Sequence, residues 1–300
     1  MKKREKCIIC NSLGEEIFSL PYDDKELTSF FLNYYGNTEN VKDFLKSISK
    51  YYYTILKCNN CQFIWQKYSL EHDKQKILYD NLINQKNSYR KSLDLETRNG
   101  KYYLNEINFL KNFFIKNKQI NILDYGAGWG SWIKSIKSEY KNIYALELSE
   151  NRINVLKENK IQTINENDKS NENLKFDFIR FEQVLEHLDD LNSIIKYLKN
   201  KSTNNSLIYI SVPNSKILFS KFWKENLLIK GPIQPLEHLN SFTPKSLNKL
   251  FNNNSFSKIS LIEIFLLFLK CDKFNYFRLK YFIKLIYNYF FSTTLIFKKN

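Results

Sequence analysis

Residues 122–130 read Ile122-Leu123-Asp124-Tyr125-Gly126-Ala127-Gly128-Trp129-Gly130, an apolar run that breaks into three glycines at alternate positions. An apolar run ending in glycines is how a buried strand turns into a helix, because glycine accepts positive φ and lets a ligand approach the main chain. Nineteen residues after Gly128, closing the next apolar run, stands Glu147. An acid at the end of the second strand can accept both hydrogen bonds of a ribose diol, so loop and acid together point to an adenosine-type cofactor. The spacing is Gly-x-Gly-x-Gly and not the Gly-x-Gly-x-x-Gly of dinucleotide loops. Asp124, two positions before the first glycine, would repel a pyrophosphate but suits a cofactor carrying an ammonium group.

Outward from this loop the chain alternates short apolar runs with helical periodicity, the mark of a parallel α/β sheet. Strands are expected at 120–125, 143–147, 161–164, 176–180 and 207–212, and helices at 131–138, 150–159 and 189–200. Thr243-Pro244 reads as a helix start, hydroxyl cap followed by proline. Strands near 258–263 and 293–297 would complete a doubly wound, seven-stranded, mostly parallel Rossmann-like sheet. Upstream, Tyr102, Tyr103, Ile107, Leu110, Phe113 and Phe114 recur at helical spacing over 101–116.

An aromatic and basic insertion at 265–291 interrupts the last two strands, with Lys270, Lys273, Arg278, Lys280 and Lys284 among Phe, Leu and Tyr. An amphipathic element at a membrane surface, a cover over a substrate cleft and a dimer face all fit this composition, the first less well because its faces are poorly segregated.

Four of the five cysteines form two matched pairs, Cys7-Ile8-Ile9-Cys10 and Cys58-Asn59-Asn60-Cys61. A two-residue spacer lets both sulfurs of a turn face one centre, and two such knuckles supply the tetrahedral sulfur cage of a structural zinc ion. The 47 residues between the pairs must fold back to bring them together, through a strand expected at 52–57, with another at 63–65. A disulfide suits an oxidising compartment and a redox dithiol suits a thioredoxin-like βαβ unit, neither of which is indicated. Cys271 has no such partner. The expected division is a cysteine-bearing module at 1–70, a helical linker or cap at 71–117 and the α/β domain at 118–300.

Composition bounds the rest. A chain of 300 residues, 43% hydrophobic and 16% aromatic, builds a real core and excludes a disordered protein. The net charge of +15 comes mostly from lysines spread along the chain, without an arginine-rich stripe or a nucleic-acid-binding module, so no nucleic-acid partner is expected. The basic start Met1-Lys2-Lys3-Arg4 is not followed by the apolar run of a signal peptide, and no run of about 18 apolar residues occurs. A cytoplasmic location is expected.

From about residue 100 to 300 the chain resembles class I S-adenosylmethionine-dependent methyltransferases. The likeness rests on the 122–130 segment, on Ala145-Leu146-Glu147-Leu148-Ser149, on Phe176-Asp177-Phe178-Ile179 and on Val184-Leu185-Glu186-His187-Leu188. With its cysteine pairs the whole chain looks like the bacterial subset with an N-terminal zinc-binding module, members of which act on nucleotide-linked sugars or surface-polysaccharide intermediates. The resemblance implies that Asp124, Gly126, Gly128, Gly130 and Glu147 bind the methionine and ribose, that Asp168 meets the adenine amine, and that Glu182 and Gln183 line the methyl-donor pocket. Arg180-Phe181 depart from the small or polar residues usual just before that pocket.

Methyl transfer from a sulfonium is an in-line displacement, so alignment and exclusion of water are the main work, and a base is needed only for a hydroxyl or carbon acid. His72 falls in the charged linker, whereas His187 and His238 follow carboxyl ends of expected strands, where ligands bind in this fold. Either could serve as base or could organise its own loop, with Glu186 and Glu237 as further candidates. Tyr79 and Tyr89 in the linker could close over a cleft. The expected function is transfer of a methyl group to a sugar or glycan-precursor hydroxyl. A catalytically silent scaffold and a nicotinamide-dependent nucleotide-sugar reductase are the alternatives, and oligomeric state is not legible.

Overall fold

The computed structural model describes residues 1–112, 119–166, 168, 171–215, 218, 231–270 and 275–300. In chain order the first half runs β1 (Lys2–Lys3), β2 (Glu15–Pro21), α1 (Lys25–Tyr35), α2 (Glu39–Ile48), β3 (Tyr52–Lys57), β4 (Ile64–Gln66), β5 (Tyr68–Ser69), α3 (His72–Ile77), a π-helical turn (Leu78–Leu82) and α4 (Gln85–Lys111). There follow β6 (Ile122–Tyr125), α5 (Ser131–Ile136), β7 (Ile143–Leu146), α6 (Glu150–Glu158), β8 (Gln162–Ile164), β9 (Phe176–Glu182), α7 (Leu191–Lys201) and β10 (Ser202–Ser211). The chain ends with β11 (Asn240–Ser241), α8 (Pro244–Asn252), β12 (Phe256–Lys258), α9 (Leu261–Leu269), α10 (Tyr276–Phe291) and β13 (Thr294–Lys299).

These elements form two compact units. One comprises Met1–Gln85, Leu185–Asn192 and Val212–Leu250, the other Lys86–Val184, Ser193–Ser211 and Phe251–Asn300. The units are not continuous in sequence: the cysteine-bearing unit, built on the first 85 residues, takes in two stretches from the second half of the chain. The physical reason is a sheet edge. In the four-stranded sheet β11-β4-β3-β2 the short strand β4 would present unpaired backbone groups, and Asn240–Ser241 pairs with it antiparallel. Around this sheet α1 begins at Asp24, whose side chain accepts from Glu26 N and Leu27 N, and α2 begins at Thr38. Leu27 and Phe31 from α1, and Val41, Phe44 and Ile48 from α2, are buried in one core with Tyr53, Ile55 and Ile64.

The second unit is a seven-stranded sheet in the order β12-β13-β10-β9-β6-β7-β8. The five strands from β8 to β10 are parallel, and β13 lies antiparallel to both β10 and β12. Strands β6 and β9 are buried along almost their whole length, and they carry charged residues, Asp124, Asp177 and Arg180, into that buried layer among their apolar ones. Ile122, Ala145, Phe178 and Leu207 of the sheet are buried in one core with Ile107 and Leu110 of α4, Ile133 and Ile136 of α5, and Tyr281 and Leu285 of α10.

Several expected elements shift. The strand expected at 258–263 ends at Lys258, because Ser260 and Glu263 form a capping box that starts α9. The insertion is thus a pair of helices from Leu261 to Phe291. Strand β10 begins at Ser202, earlier than expected, with a register shift before Leu207 and Asn205 at φ 64°. Phe113, Phe114, Lys273 and Cys271 lie outside the described residues. Among the described residues, no helix is long and apolar enough to cross a membrane.

Gly130 has φ +81°, and a Cβ there would lie 2.6 Å from Leu156 Cδ2, whereas a Cβ on Gly100 in α4 would meet nothing within 4 Å. Gly130→Ala is expected to cost about 2 kcal/mol or more and Gly100→Ala to gain about 0.5–1 kcal/mol, read by chemical denaturation.

Candidate active site

In the α/β unit, β6 delivers the loop. Gly126, Gly128 and Gly130 all have positive φ (72°, 57° and 81°). A Cβ on Gly126 would lie 2.6 Å from Val184 Cγ2, whereas one on Gly128 would meet nothing within 4 Å. The loop is thus packed on one side and open above Gly128. Glu147, just beyond β7, accepts from Gly128 N at 2.8 Å through Oε2 and from Leu148 N and Ser149 N through Oε1, with Arg152 Nη1 3.6 Å away. What these bonds show is that Glu147 fixes the main chain of the glycine loop and of its own turn. Trp129 is held by a hydrogen bond from its Nε1 to Ser88 Oγ and by Tyr89, 4.9 Å between ring centroids, so Tyr89 of α4 sits on the loop itself.

Asp124 is almost fully buried, and its Oδ1 lies 3.4 Å from Arg180 Nη1. Arg180 Nη2 reaches Glu182 Oε2 at 3.1 Å, and its guanidinium lies over the rings of Trp132 at 4.7 Å and Tyr209 at 5.5 Å. The departure noted at Arg180 is thereby explained: the side chain is the counter-ion of the acids at the strand ends. Burial raises the Asp124 carboxyl to about 6 against the opposing pull of Arg180. Glu106 of α4, also buried, is raised by burial to about 7, opposed by Arg180 and Lys284. Burial works against the charged guanidinium, but Glu182 and Asp124 outweigh it and Arg180 stays protonated. Nothing in the sequence pattern marks Glu106, whose spacing on α4 places it among buried apolar neighbours.

Gln183 has φ 55°, unusual for a side chain with a Cβ, and its N donates to Ser211 O at 2.8 Å, tying the end of β9 to β10. Asp168 is exposed, its N bonded to Asn165 O. The neighbouring acid Glu166, rather than Asp168, takes the hydroxyl of Tyr125 at the end of β6.

The other unit gathers the histidines. His187 and His238 lie edge to face with ring centroids 4.9 Å apart, and Glu186, fully buried, offers a carboxylate oxygen within 4.8 Å of ligand nitrogens of both. His238 Nδ1 is 2.9 Å from Gly231 O; His187 Nδ1 is 3.0 Å from Glu237 O and 3.1 Å from the Tyr79 hydroxyl. Glu237 accepts from Tyr35 Oη at 2.6 Å and from Gln234 Nε2 at 2.8 Å. The loop carrying them is clamped by residues that sequence reasoning missed. Gln66 Nε2 donates to the carbonyls of Gln234 and His238, and Arg4 donates to Leu239 O and Asn240 Oδ1. Burial lowers Arg4 to about 10. His72 is exposed on α3.

The four cysteines converge. Cys7 Sγ and Cys61 Sγ are 3.4 Å apart, Cys10 and Cys58 3.4 Å, and Cys10 and Cys61 3.8 Å. Each knuckle is closed alike: Asn11 N donates to Cys7 O and Gln62 N to Cys58 O, with Asn11 and Gln62 both at positive φ. These edges fit a tetrahedron of sulfurs about 2.3 Å from a central ion, whose edge is about 3.8 Å, and exclude disulfides at about 2.05 Å. The Cys7 thiol, facing Cys61 in this buried cluster, pulls Cys61 down to about 5 while its own thiol is pushed up.

Residues 94–261 match the family described as a methyltransferase domain. The match spans more than half of the chain, and the chain belongs to that family, with the class I S-adenosylmethionine-dependent methyltransferase fold. Among solved structures, the plantazolicin methyltransferase BamL in complex with a triazolic desmethylPZN analog and SAH is similar at 16% identity, over 76% of this chain and 94% of that one, with a TM-score of 0.51. BpumL in complex with SAH is similar at 14% identity, over 75% and 93%, with a TM-score of 0.48. A SAM-dependent methyltransferase of Thermotoga maritima gives 14% identity over 63% and 82%, with a TM-score of 0.40. No curated protein matches in sequence. At these identities the likeness is one of fold.

The buried acids make stability depend on pH. Glu106 keeps its proton in the folded chain up to about pH 7. The unfolded chain gives it up near the ordinary carboxylate range, so folding binds a proton between those values and stability falls as pH rises. Glu106→Gln is expected to remove that loss: little gain at pH 4 and a gain on the order of 2 kcal/mol at pH 8, in parallel urea titrations.

Proposed function

We propose that this chain transfers a methyl group from S-adenosylmethionine to a hydroxyl of a sugar or surface-polysaccharide precursor. The observation that carries the donor half is the glycine loop. Its three left-handed glycines leave open space above Gly128, and the Glu147 carboxylate stands beside that opening. Residues fitted to hold the donor are Asp124, Gly126, Gly128, Gly130 and Glu147, with Asp168, Glu182 and Gln183 at neighbouring strand ends. The donor supplies an electrophilic methyl on a positively charged sulfur. The carboxylates of Asp124 and Glu182, shared by one guanidinium, give this end of the sheet the negative charge that a cationic cofactor favours.

His238 is the proposed base, with His187 as its neighbour. The donor, held by the glycine loop and Glu147, would supply the methyl group with its sulfur as the leaving group, and the imidazole of His238 would take the proton that an acceptor hydroxyl gives up. The contact of Nδ1 with Gly231 O favours the tautomer protonated there and makes Nε2 the basic nitrogen. The sugar acceptor rests on the resemblance to the zinc-module subset, and the plantazolicin methyltransferases, similar in fold alone, neither support nor oppose it. The cysteine cage is proposed to hold a structural zinc ion with no chemical step, since four thiolates leave no open position. A cytoplasmic setting, with reduced thiols and S-adenosylmethionine at hand, goes with this function.

Titration calorimetry is expected to show binding of S-adenosylmethionine, weakened at least about tenfold in Glu147→Ala by loss of the ribose bonds and of the loop clamp. No binding would overturn the donor half, and binding without transfer to any sugar acceptor would favour the silent scaffold. His238→Ala is expected to lower kcat at least about hundredfold while leaving donor affinity unchanged. Purified protein should contain about one equivalent of zinc, and Cys58→Ser less than half of that with a lower Tm.

A further inference from the structure

Helices α9 and α10 each bury one face and leave the other, strongly apolar one, in solvent. On α9, Ile264 and Leu267 are buried, while Ile262, Phe265 and Leu269 are 72%, 52% and 61% exposed. On α10, Tyr281, Leu285 and Asn288 are buried, while Ile283, Tyr287 and Phe290 are 57%, 60% and 52% exposed. These spacings of three, four and seven residues align each exposed set into a stripe along its helix. The two helices pack on each other, with Phe268 stacked on Phe282 at 4.2 Å between centroids. Contiguous exposed apolar surface of this extent marks an interaction site rather than ordinary surface.

Charge decides what kind of partner fits. Helices α9 and α10 carry three cations, Arg278, Lys280 and Lys284, against one acid, Glu263. Lys280 and Lys284 are exposed along one edge of the α10 stripe, with their ammonium groups over the Tyr102 ring at 5.9 and 5.2 Å. Glu263, the acid on these two helices, is turned back on its own cap, accepting from Ser260 N and lying 3.6 Å from Lys298. A second copy of this face would therefore bring like charges together with no acid to answer them. An apolar stripe with aromatic and isoleucine side chains, edged by lysines whose stems can lie along it, instead matches a lipid interface with anionic head groups.

We infer that the α9–α10 pair docks the protein peripherally on an anionic lipid surface, with the exposed stripes seated among the acyl chains and the lysines among the head groups. This placement does not depend on the methyl-transfer function.

The test is flotation of the full-length chain with phosphatidylcholine vesicles, with and without about 30 mol% phosphatidylglycerol, at low and high salt. The expected result is binding at least about tenfold tighter to the anionic vesicles and weakened by salt. Ile262→Glu combined with Tyr287→Glu should abolish it, with Tm unchanged because both side chains are exposed. Lys280→Glu with Lys284→Glu should erase the preference for anionic lipid. Absence of binding to either vesicle overturns the inference, as does equal binding to both. So does a dimer in sedimentation equilibrium that Ile262→Glu with Tyr287→Glu dissociates.

Discussion

Arg180 lies in the middle strand region of a parallel sheet, almost fully buried, and answers the acids at the strand ends: Asp124 directly, Glu182 two residues on, and Glu106 from the helix packed above. Taking a carboxylate out of water costs several kcal/mol unless it is paired, and the two buried ones, Asp124 and Glu106, share their guanidinium with the partly exposed Glu182 and are not fully paired. The surplus is met by holding protons longer, as the raised values of Asp124 and Glu106 indicate, and by burial among Trp132 and Tyr209, whose ring faces add to the stabilisation of the cation. The glycine loop starts two residues after Asp124, so the position of this pair fixes where the loop leaves the sheet.

Much of the α/β unit was legible because its signals are local. A strand ending in Gly-x-Gly-x-Gly, an acid at the end of the next apolar run and regular alternation thereafter specify a sheet of this class, and the family match over 94–261 agrees. The strand at Tyr52–Lys57 and each cysteine knuckle were legible for the same reason, since knuckle geometry is set within four or five residues, while the meeting of the two knuckles followed from the matched sulfur chemistry of the pairs. Boundaries failed where a cap overrode an apolar pattern. Residues 258–263 read as a strand from hydrophobicity alone, but Ser260 and Glu263 satisfy the first amides of a helix and end the strand early.

What the sequence could not disclose is long-range pairing. The contact of Asn240 with Arg4 spans 236 residues and that of Gln66 with His238 spans 172, and no periodicity reports either. Arg180 was visible only as an exception to a pattern; its partner Glu106 was not visible at all. The meeting of His187 and His238 is of the same kind. Each was a lone histidine in the sequence, and their shared environment arises because residues 185–192 and 212–250 fold into the unit built on the first 85 residues.

That interleaving bears on how the protein is made. During synthesis the two cysteine knuckles and strands β2 to β4 emerge within the first 66 residues, but the strand that closes the β4 edge is not complete until Ser241. For about 175 residues of translation, on the order of ten to thirty seconds, that edge is an open template for wrong pairing. The four cysteines, by contrast, are all on the chain by residue 61, so the sulfur cluster is complete in sequence long before the strand that covers this edge.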